Sequence, residues 1–76
     1  MKKINKIKIK LNGKFIKIQD KTTLLSFIKK LKVPINKVAI ELNETIVNKK
    51  LLSRTKIKKN DKIEIVHFIG GGWWKK

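Results

Sequence analysis

Residues 60–72 read Asn-Asp-Lys-Ile-Glu-Ile-Val-His-Phe-Ile-Gly-Gly-Gly. The Asn-Asp pair predicts a turn, because both side chains readily hydrogen-bond to nearby backbone groups. Residues 63–69 form the most apolar of the candidate strands and predict the last strand of a sheet. The three glycines lack a Cβ, so they adopt any backbone angle and enter narrow spaces. We therefore predict a strand that continues into a thin arm, residues 70–72, which reaches roughly 10 Å beyond the domain.

The beginning of the chain predicts a β-hairpin. Residues 6–11 alternate lysine with isoleucine or leucine, which is the period of a strand with one buried face. The following pair, Asn12-Gly13, suits the two positive-φ positions of a type I′ turn. Residues 14–18 then predict the return strand.

A single amphipathic helix is predicted over about residues 23–32. Its candidate N-caps are Asp20, Thr22 and Thr23. Pro34 ends the segment, because the residue before a proline avoids helical geometry. The expected apolar face consists of Leu24, Leu25, Ile28 and Leu31.

The remaining elements complete a small sheet. Residues 38–42 predict a third strand, Asn43-Glu44 a tight turn, and residues 45–47 a short further strand. Leu51 and Leu52 suggest a turn that plugs the core. The fold class is therefore α+β: a mixed sheet of four to five strands with one main helix packed on one face. We expect the last strand in the middle of the sheet, parallel to the first, with one domain over residues 1–69 and a flexible tail over residues 70–76.

Length and composition limit the possible functions. A chain of 76 residues forms one small domain that buries only about 60% of its unfolded surface, so function is expected at the surface or at a terminus. Without cysteine there is no disulfide, thiolate metal site or cysteine nucleophile. A lone histidine, His67, builds no metal site and is expected to be structural. No secretory leader or membrane span is recognisable, which favours a cytoplasmic protein.

The net charge of +16 has two interpretations. It suits a nucleic-acid or anionic-membrane partner. It also fits a composition in which Lys, Ile and Asn, all with A- and T-rich codons, make up about half of the chain. Because the lysines are spread over the whole sequence, we favour the compositional explanation and expect neither a nucleic acid nor a membrane as partner.

The last strand and the glycines resemble the ThiS family, the sulfur carriers of thiamin thiazole biosynthesis, which have the ubiquitin-like β-grasp fold. In that family a turn ending in Asp, a strand similar to Ile-Glu-Ile-Val-His-Phe and a terminal diglycine recur. The residues that carry the resemblance are 38–43, 46–47 and 60–72.

The resemblance implies a carrier that is a protein co-substrate and not an enzyme. Gly72, or alternatively Gly71, is implied as the terminal residue, whose carboxylate a ThiF-like adenylyltransferase activates with ATP and Mg²⁺. A sulfur donor protein then converts it to a thiocarboxylate, and a ThiG-like thiazole synthase receives the sulfur. No cofactor is expected on the carrier itself. The implied partner-binding residues are Val66, Phe68, Ile69 and Gly70.

The chain departs from the family pattern at its end, because Trp73, Trp74, Lys75 and Lys76 follow the glycines. While they are attached, Gly72 is part of a peptide bond and has no carboxylate to activate. The tail is removed by a protease, or it is an addition without function, or the chain uses the two tryptophans for binding. Two alternative functions stay open: a carrier like the small subunit of molybdopterin synthase, and a basic nucleic-acid-binding module that stacks bases on Trp73 and Trp74.

The face of the last strand that the helix leaves uncovered is a second candidate site. If Ile63, Ile65 and His67 point one way, Val66 and Phe68 point the other. Exposed apolar side chains on such a face often mark a partner site, although ordinary sheet packing explains them equally well. The sequence does not decide which set lies on the uncovered face.

Overall fold

The computed structural model describes residues 5–67. Its elements follow the predicted order. They are β1 (Lys6–Leu11), β2 (Lys14–Gln19), α1 (Leu24–Leu31), a 3₁₀ turn (Ile35–Lys37), β3 (Val38–Leu42), β4 (Thr45–Ile46), a second 3₁₀ turn (Lys49–Arg54) and β5 (Lys62–His67). The predicted boundary between domain and tail, at residues 69 and 70, lies outside the described residues, as do the last two residues predicted for the final strand.

The five strands form one mixed sheet in the order β2-β1-β5-β3-β4. The β5 strand lies in the middle, parallel to β1 and antiparallel to β3. The two hairpin pairs, β1–β2 and β3–β4, are antiparallel. The predicted fold class and the predicted position of the last strand are therefore confirmed.

Both hairpin turns have positive φ at their two central residues, the geometry of a type I′ turn. The values are 47° at Asn12 and 86° at Gly13 in the first turn, and 53° at Asn43 and 73° at Glu44 in the second. Asparagine tolerates this left-handed region better than most residues do. The prediction of tight turns at both places is confirmed.

The helix α1 has caps at both ends. At its start, the Thr23 hydroxyl oxygen accepts a hydrogen bond from the Ser26 backbone N–H at 3.1 Å. At its end, Lys32 has a φ of 60°, and its N–H donates to the Lys29 carbonyl oxygen at 3.1 Å. The helix therefore stops at a left-handed residue two positions before Pro34, close to the predicted end. No described helix has the length and the apolar composition that crossing a membrane requires.

The hydrophobic core lies between α1, the second 3₁₀ turn and one face of the sheet. All its members are at most 5% exposed. They are Ile9, Leu24, Phe27, Ile28, Val38, Ile40, Leu52, Ile57 and Ile63.

Three details of the core differ from prediction. Phe27 and Ile57 are buried, although neither was expected in the core. Leu31 was expected on the apolar face of the helix, but it is 38% exposed, because it lies in the last turn of α1, beside the edge of the sheet. Leu51 is 48% exposed while Leu52 is buried, so one leucine of the predicted pair plugs the core.

Candidate functional site: the end of the central strand

The central strand β5 begins at a network of side-chain hydrogen bonds. The Asp61 carboxylate accepts from the Lys58 backbone N–H at 2.7 Å and from the Asn43 side-chain amide at 3.0 Å. The Asn43 side-chain oxygen in turn accepts from the Lys62 N–H at 2.9 Å, and the Asn43 N–H donates to the Lys62 carbonyl at 2.7 Å. These contacts, which we call the Asn43–Asp61 cluster, join the β3–β4 turn to the start of β5. Asp61 is therefore a turn residue that accepts from nearby backbone, as predicted.

Further along β5, the first hairpin turn contributes the last hydrogen bonds on the β1 side. The Asn12 N–H donates to the Ile63 carbonyl at 2.9 Å, and the Asn12 side-chain oxygen accepts from the Ile65 N–H at 2.8 Å. Since Asn12 already lies in the turn, β5 runs past the end of β1. On its other side, β5 stays paired with β3 as far as His67, which lies opposite Val38.

The structure decides which side chains of β5 lie on the uncovered face. Ile63 is fully buried in the core and Ile65 packs against it, so both lie on the α1 side. Because successive side chains point to opposite faces, Lys62, Glu64 and Val66 lie on the other side, which we call the open face. Val66 is partly buried and lies opposite Ala39 of β3.

The predicted site residues are described only in part. Val66 is described and lies on the open face near the end of β5. The other predicted partner-binding residues, Phe68, Ile69 and Gly70, lie outside the described residues. The same is true of the predicted terminal glycines, Gly71 and Gly72, and of the two tryptophans, Trp73 and Trp74.

The open face is strongly basic on the side of β1 and β2. The cross-strand register places Lys8 directly opposite Lys17 and Lys10 opposite Phe15. Phe15 is 65% exposed, and the Nζ atoms of Lys8 and Lys10 lie 4.9 and 5.1 Å from its ring centre. Like charges directly opposite each other destabilise a sheet. The attraction of the Lys8 and Lys10 ammonium groups to the Phe15 ring partly offsets the repulsion among these lysines.

Towards the other edge, the open face carries acidic and apolar residues. Glu41 lies opposite Glu64, and Ile46, which is 56% exposed, lies opposite Glu41 on β4. At the turn, the Lys62 ammonium contacts the Glu44 carboxylate at 2.8 Å. The hydrogen bond and the charge of the partner lower the pKa of Glu44 and raise the pKa of Lys62.

His67 is exposed at the end of β5. Among residues 5–67, no set of three or more His, Cys, Asp or Glu side chains lies close enough together to hold a metal ion. The role of His67 as a structural residue stays a prediction.

Sequence reasoning missed two features of this region. The Asn12-Gly13 pair was recognised as a turn, but not as the side-chain acceptor for the central strand. The residue type at position 12 was the signal. A glycine there would also form the turn, so the asparagine indicates that the side chain has a further role. Sequence reasoning also did not predict that the exposed Phe15 ring of β2 lies between the ammonium groups of Lys8 and Lys10.

The fold and the glycines after its central strand define the class: a small β-grasp domain with a glycine-rich C-terminal segment. The crystal structure of the thiamine biosynthesis protein ThiS from Geobacter metallireducens has a TM-score of 0.78 to this chain at 26% identity. It covers 87% of this chain, and the similar region spans all of that structure.

The family follows from the sequence matches. The model of the ThiS family matches residues 4–72. Sulfur carrier protein ThiS of Bacillus subtilis is 34% identical over 84% of this chain and 98% of its own length. A thiazole synthase of Magnetococcus marinus is 38% identical over 87% of this chain, although this chain spans only 20% of that longer protein. The chain belongs to the ThiS family, the sulfur carriers with a β-grasp fold, and the predicted resemblance is confirmed.

Proposed function

We propose that this chain carries sulfur for the thiazole moiety of thiamin as a thiocarboxylate on its terminal glycine. The observation that carries the proposal is the family match, which spans residues 4–72 and so includes all three glycines. The fold supports it, because β5 is the middle strand of the sheet and leads towards those glycines. Gly72 would supply the reacting carboxylate, with Gly71 as the alternative terminus.

The chemistry begins with activation of the carboxylate. A carboxylate oxygen attacks the α-phosphorus of ATP, pyrophosphate leaves, and the product is an acyl-adenylate. The partner enzyme supplies Mg²⁺ and cationic groups that stabilise the charge on the phosphates. The carrier contributes a reachable terminus and a surface on which the enzyme docks.

Sulfur then replaces AMP. The terminal sulfur of a donor protein's persulfide attacks the acyl carbon, and AMP leaves, so that carrier and donor are joined by an acyl disulfide. A thiol cleaves the S–S bond, which releases the glycine thiocarboxylate and oxidises the thiol and the donor to a disulfide. Thiazole synthase is the proposed acceptor of the sulfur.

The tail must be removed before this reaction. Residues 73–76 lie beyond the family match, and they keep Gly72 in a peptide bond. We propose that a protease cleaves after Gly72, as ubiquitin-like precursors are cleaved. The cell compartment would be the cytoplasm, where ATP is available.

The proposed partners are a ThiF-like adenylyltransferase, a ThiG-like thiazole synthase and a sulfur donor protein. The relatives named thiazole synthase support the second of these, because each contains a segment similar to this chain within one longer protein. The same relatives favour the thiazole pathway over a role like that of the molybdopterin synthase small subunit. Given the net charge of +16, the docking surfaces of these partners should be acidic.

The experiment compares two forms of the chain, one that ends at Gly72 and one with residues 73–76. Each is incubated with a ThiF-like enzyme, ATP, Mg²⁺, a persulfide donor and a thiol, and its intact mass is measured. The shorter form should gain the mass difference between one sulfur and one oxygen, whereas the full chain should not change.

Two controls make the result decisive. The carrier that belongs to the chosen enzyme shows that the enzyme is active, and a variant that ends at Ile69 shows that the glycines are required. Sulfur loading of the full chain, or no loading of the Gly72 form while the enzyme's own carrier reacts, would contradict the proposal.

A further inference from the structure

A groove lies between the edge of the sheet and the last turn of α1. Its volume is about 510 Å³. Ile18, Phe27 and Leu31 give it an apolar floor, and Lys6, Lys17 and Lys30 line its rim. Leu31 is 38% exposed, although the other helix residues of the apolar floor and core are buried. The groove therefore combines three apolar side chains with three lysines, and the polar residues Gln19 and Thr22 complete its lining.

The strand that borders this groove has an unpaired edge. Within residues 5–67, β2 pairs with β1 alone. The residues on either side of a two-residue hairpin turn, here Leu11 and Lys14, exchange backbone hydrogen bonds, and the pattern alternates along the strand. The backbone N–H and C=O groups of Phe15 and Lys17 consequently point away from β1, towards the unpaired edge.

The positive charge of β2 and the groove favours an acidic ligand over a basic one. Residues 5–19 contain no Asp or Glu, and no acidic side chain lines the groove. A second copy of the chain that pairs through its own β2 would bring Lys14 and Lys17 against the same lysines. Lysines on an edge strand prevent such pairing. An acidic segment would instead gain from the same lysines.

We propose that β2 and this groove bind an extended peptide segment of a partner protein in which apolar and acidic residues alternate. The segment adds to the sheet as a strand and pairs with the backbone of Phe15 and Lys17, a known mode of peptide recognition. Its apolar side chains enter the groove against Ile18, Phe27 and Leu31. Its acidic side chains lie on the open face beside Lys17 and Lys6.

The groove is far from the end of β5. Lys10 of β1 lies opposite Lys62 of the parallel strand β5. Lys6 is four residues before Lys10 along β1, and His67 is five residues after Lys62 along β5. At about 3.3 Å per residue, the two sites are about 30 Å apart along the strands. A partner can therefore occupy β2 and the groove without covering the end of β5. This inference does not depend on the sulfur chemistry.

Fluorescence polarisation with a labelled ten-residue peptide of alternating Asp and Val tests the proposal. It should bind the full chain, with an affinity that decreases as salt increases. The variant K17E/K30E should weaken binding by roughly tenfold or more, because two attractive contacts become repulsive. The matched variant K50E/K58E makes the same change in net charge outside the groove and should have a much smaller effect.

A second measurement separates strand addition from attraction between opposite charges. On binding, hydrogen exchange at the Phe15 and Lys17 amides should slow, and a peptide with Pro at its central positions should bind much more weakly.

Several results would overturn the proposal: equal effects of the two charge variants, equal binding of the Pro peptide, or unchanged exchange at both amides. So would binding of single-stranded oligothymidine at these amides without binding of the Asp-Val peptide, or a dimer of the free chain through β2.

Discussion

Within residues 5–67, the two ends of β5 differ in the contacts that hold them. At its start, the Asn43–Asp61 cluster joins the strand to the β3–β4 turn, and the Lys10 N–H donates to the Asp61 carbonyl at 2.9 Å. Near its end, the last contact on the β1 side is the hydrogen bond from Ile65 to the Asn12 side chain. Beyond it, β3 is the strand that accompanies β5 as far as His67.

The difference fits the proposed function, in which β5 presents the residues after it to another protein. Groups that react in a partner's active site need a well-defined direction, and rigid elements supply it better than loops do. The many contacts at the start of β5 fix the direction of the strand. Within residues 5–67, no strand pairs with the β1-side edge of the last residues of β5, which suits a surface on which a partner docks.

The largest expected effect comes from removing core contacts within β5. Ile63→Ala should lower the free energy of unfolding by about 2–5 kcal/mol, because Ile63 is fully buried and a cavity remains. Val66→Ala, three residues later on the open face, should cost much less. Urea denaturation of both variants measures this. Equal losses would show that the open face is packed as firmly as the core.

A smaller loss is expected when the Asn43–Asp61 cluster is broken. Asp61→Ala removes the acceptor for the Lys58 N–H and for the Asn43 side chain, and should cost about 1–3 kcal/mol. Asp20→Ala is the matched control. The Asp20 carboxylate accepts from the adjacent Lys21 N–H, and the backbone hydrogen bond from the Asp20 N–H to the Asn5 carbonyl is kept in the alanine variant. If both variants lose the same stability, the cluster does not hold β5.

Much of the fold could be predicted because local patterns and long-range packing agree in this chain. The alternation over residues 6–11, the Asn12-Gly13 turn and the Thr23 cap each point to the observed element. The central position of β5 also agrees with its composition, since residues 63–69 are the most apolar of the candidate strands.

The missed features depend on contacts between segments that are far apart in sequence. Ile57 lies in an irregular stretch without period, and its burial depends on α1 and the sheet closing over it. The Asn12 contact with Ile65 joins residues 53 positions apart, which no local pattern encodes. The glycines were singled out by their resemblance to a family, because the chemistry proposed for them depends on a partner and not on packing.

The hydrogen bond between the Ile65 N–H and the Asn12 side chain, near the end of β5, gives a third prediction. Asn12→Gly keeps the positive φ of the turn but removes the acceptor for the Ile65 N–H, and should cost about 1 kcal/mol. Hydrogen exchange at the Ile65 amide should become faster. Asn60→Gly is the control, because Asn60 also has positive φ but makes no side-chain hydrogen bond in the described part of the chain. A larger loss from the control would mean that turn strain, and not the Ile65 contact, decides stability here.

The smallest effect should come from the ion pair at the β3–β4 turn. The Lys62 ammonium lowers the pKa of Glu44, so the contribution of Glu44 to stability is present above its unfolded pKa and is lost as the pH falls through its folded pKa. Because both side chains are exposed, the pair should contribute little, and Glu44→Gln should hardly change the unfolding midpoint.

An NMR titration of the Glu44 carboxyl group checks the direction of this shift. In Lys62→Gln, or at high salt, its pKa should return towards the ordinary value of a glutamate. If Glu44→Gln destabilises the protein as much as Asp61→Ala does, the ion pair between Lys62 and Glu44 holds the start of β5. If Glu44→Gln has the smaller effect, the hydrogen bonds of Asn43 and Asp61 hold the start of the strand.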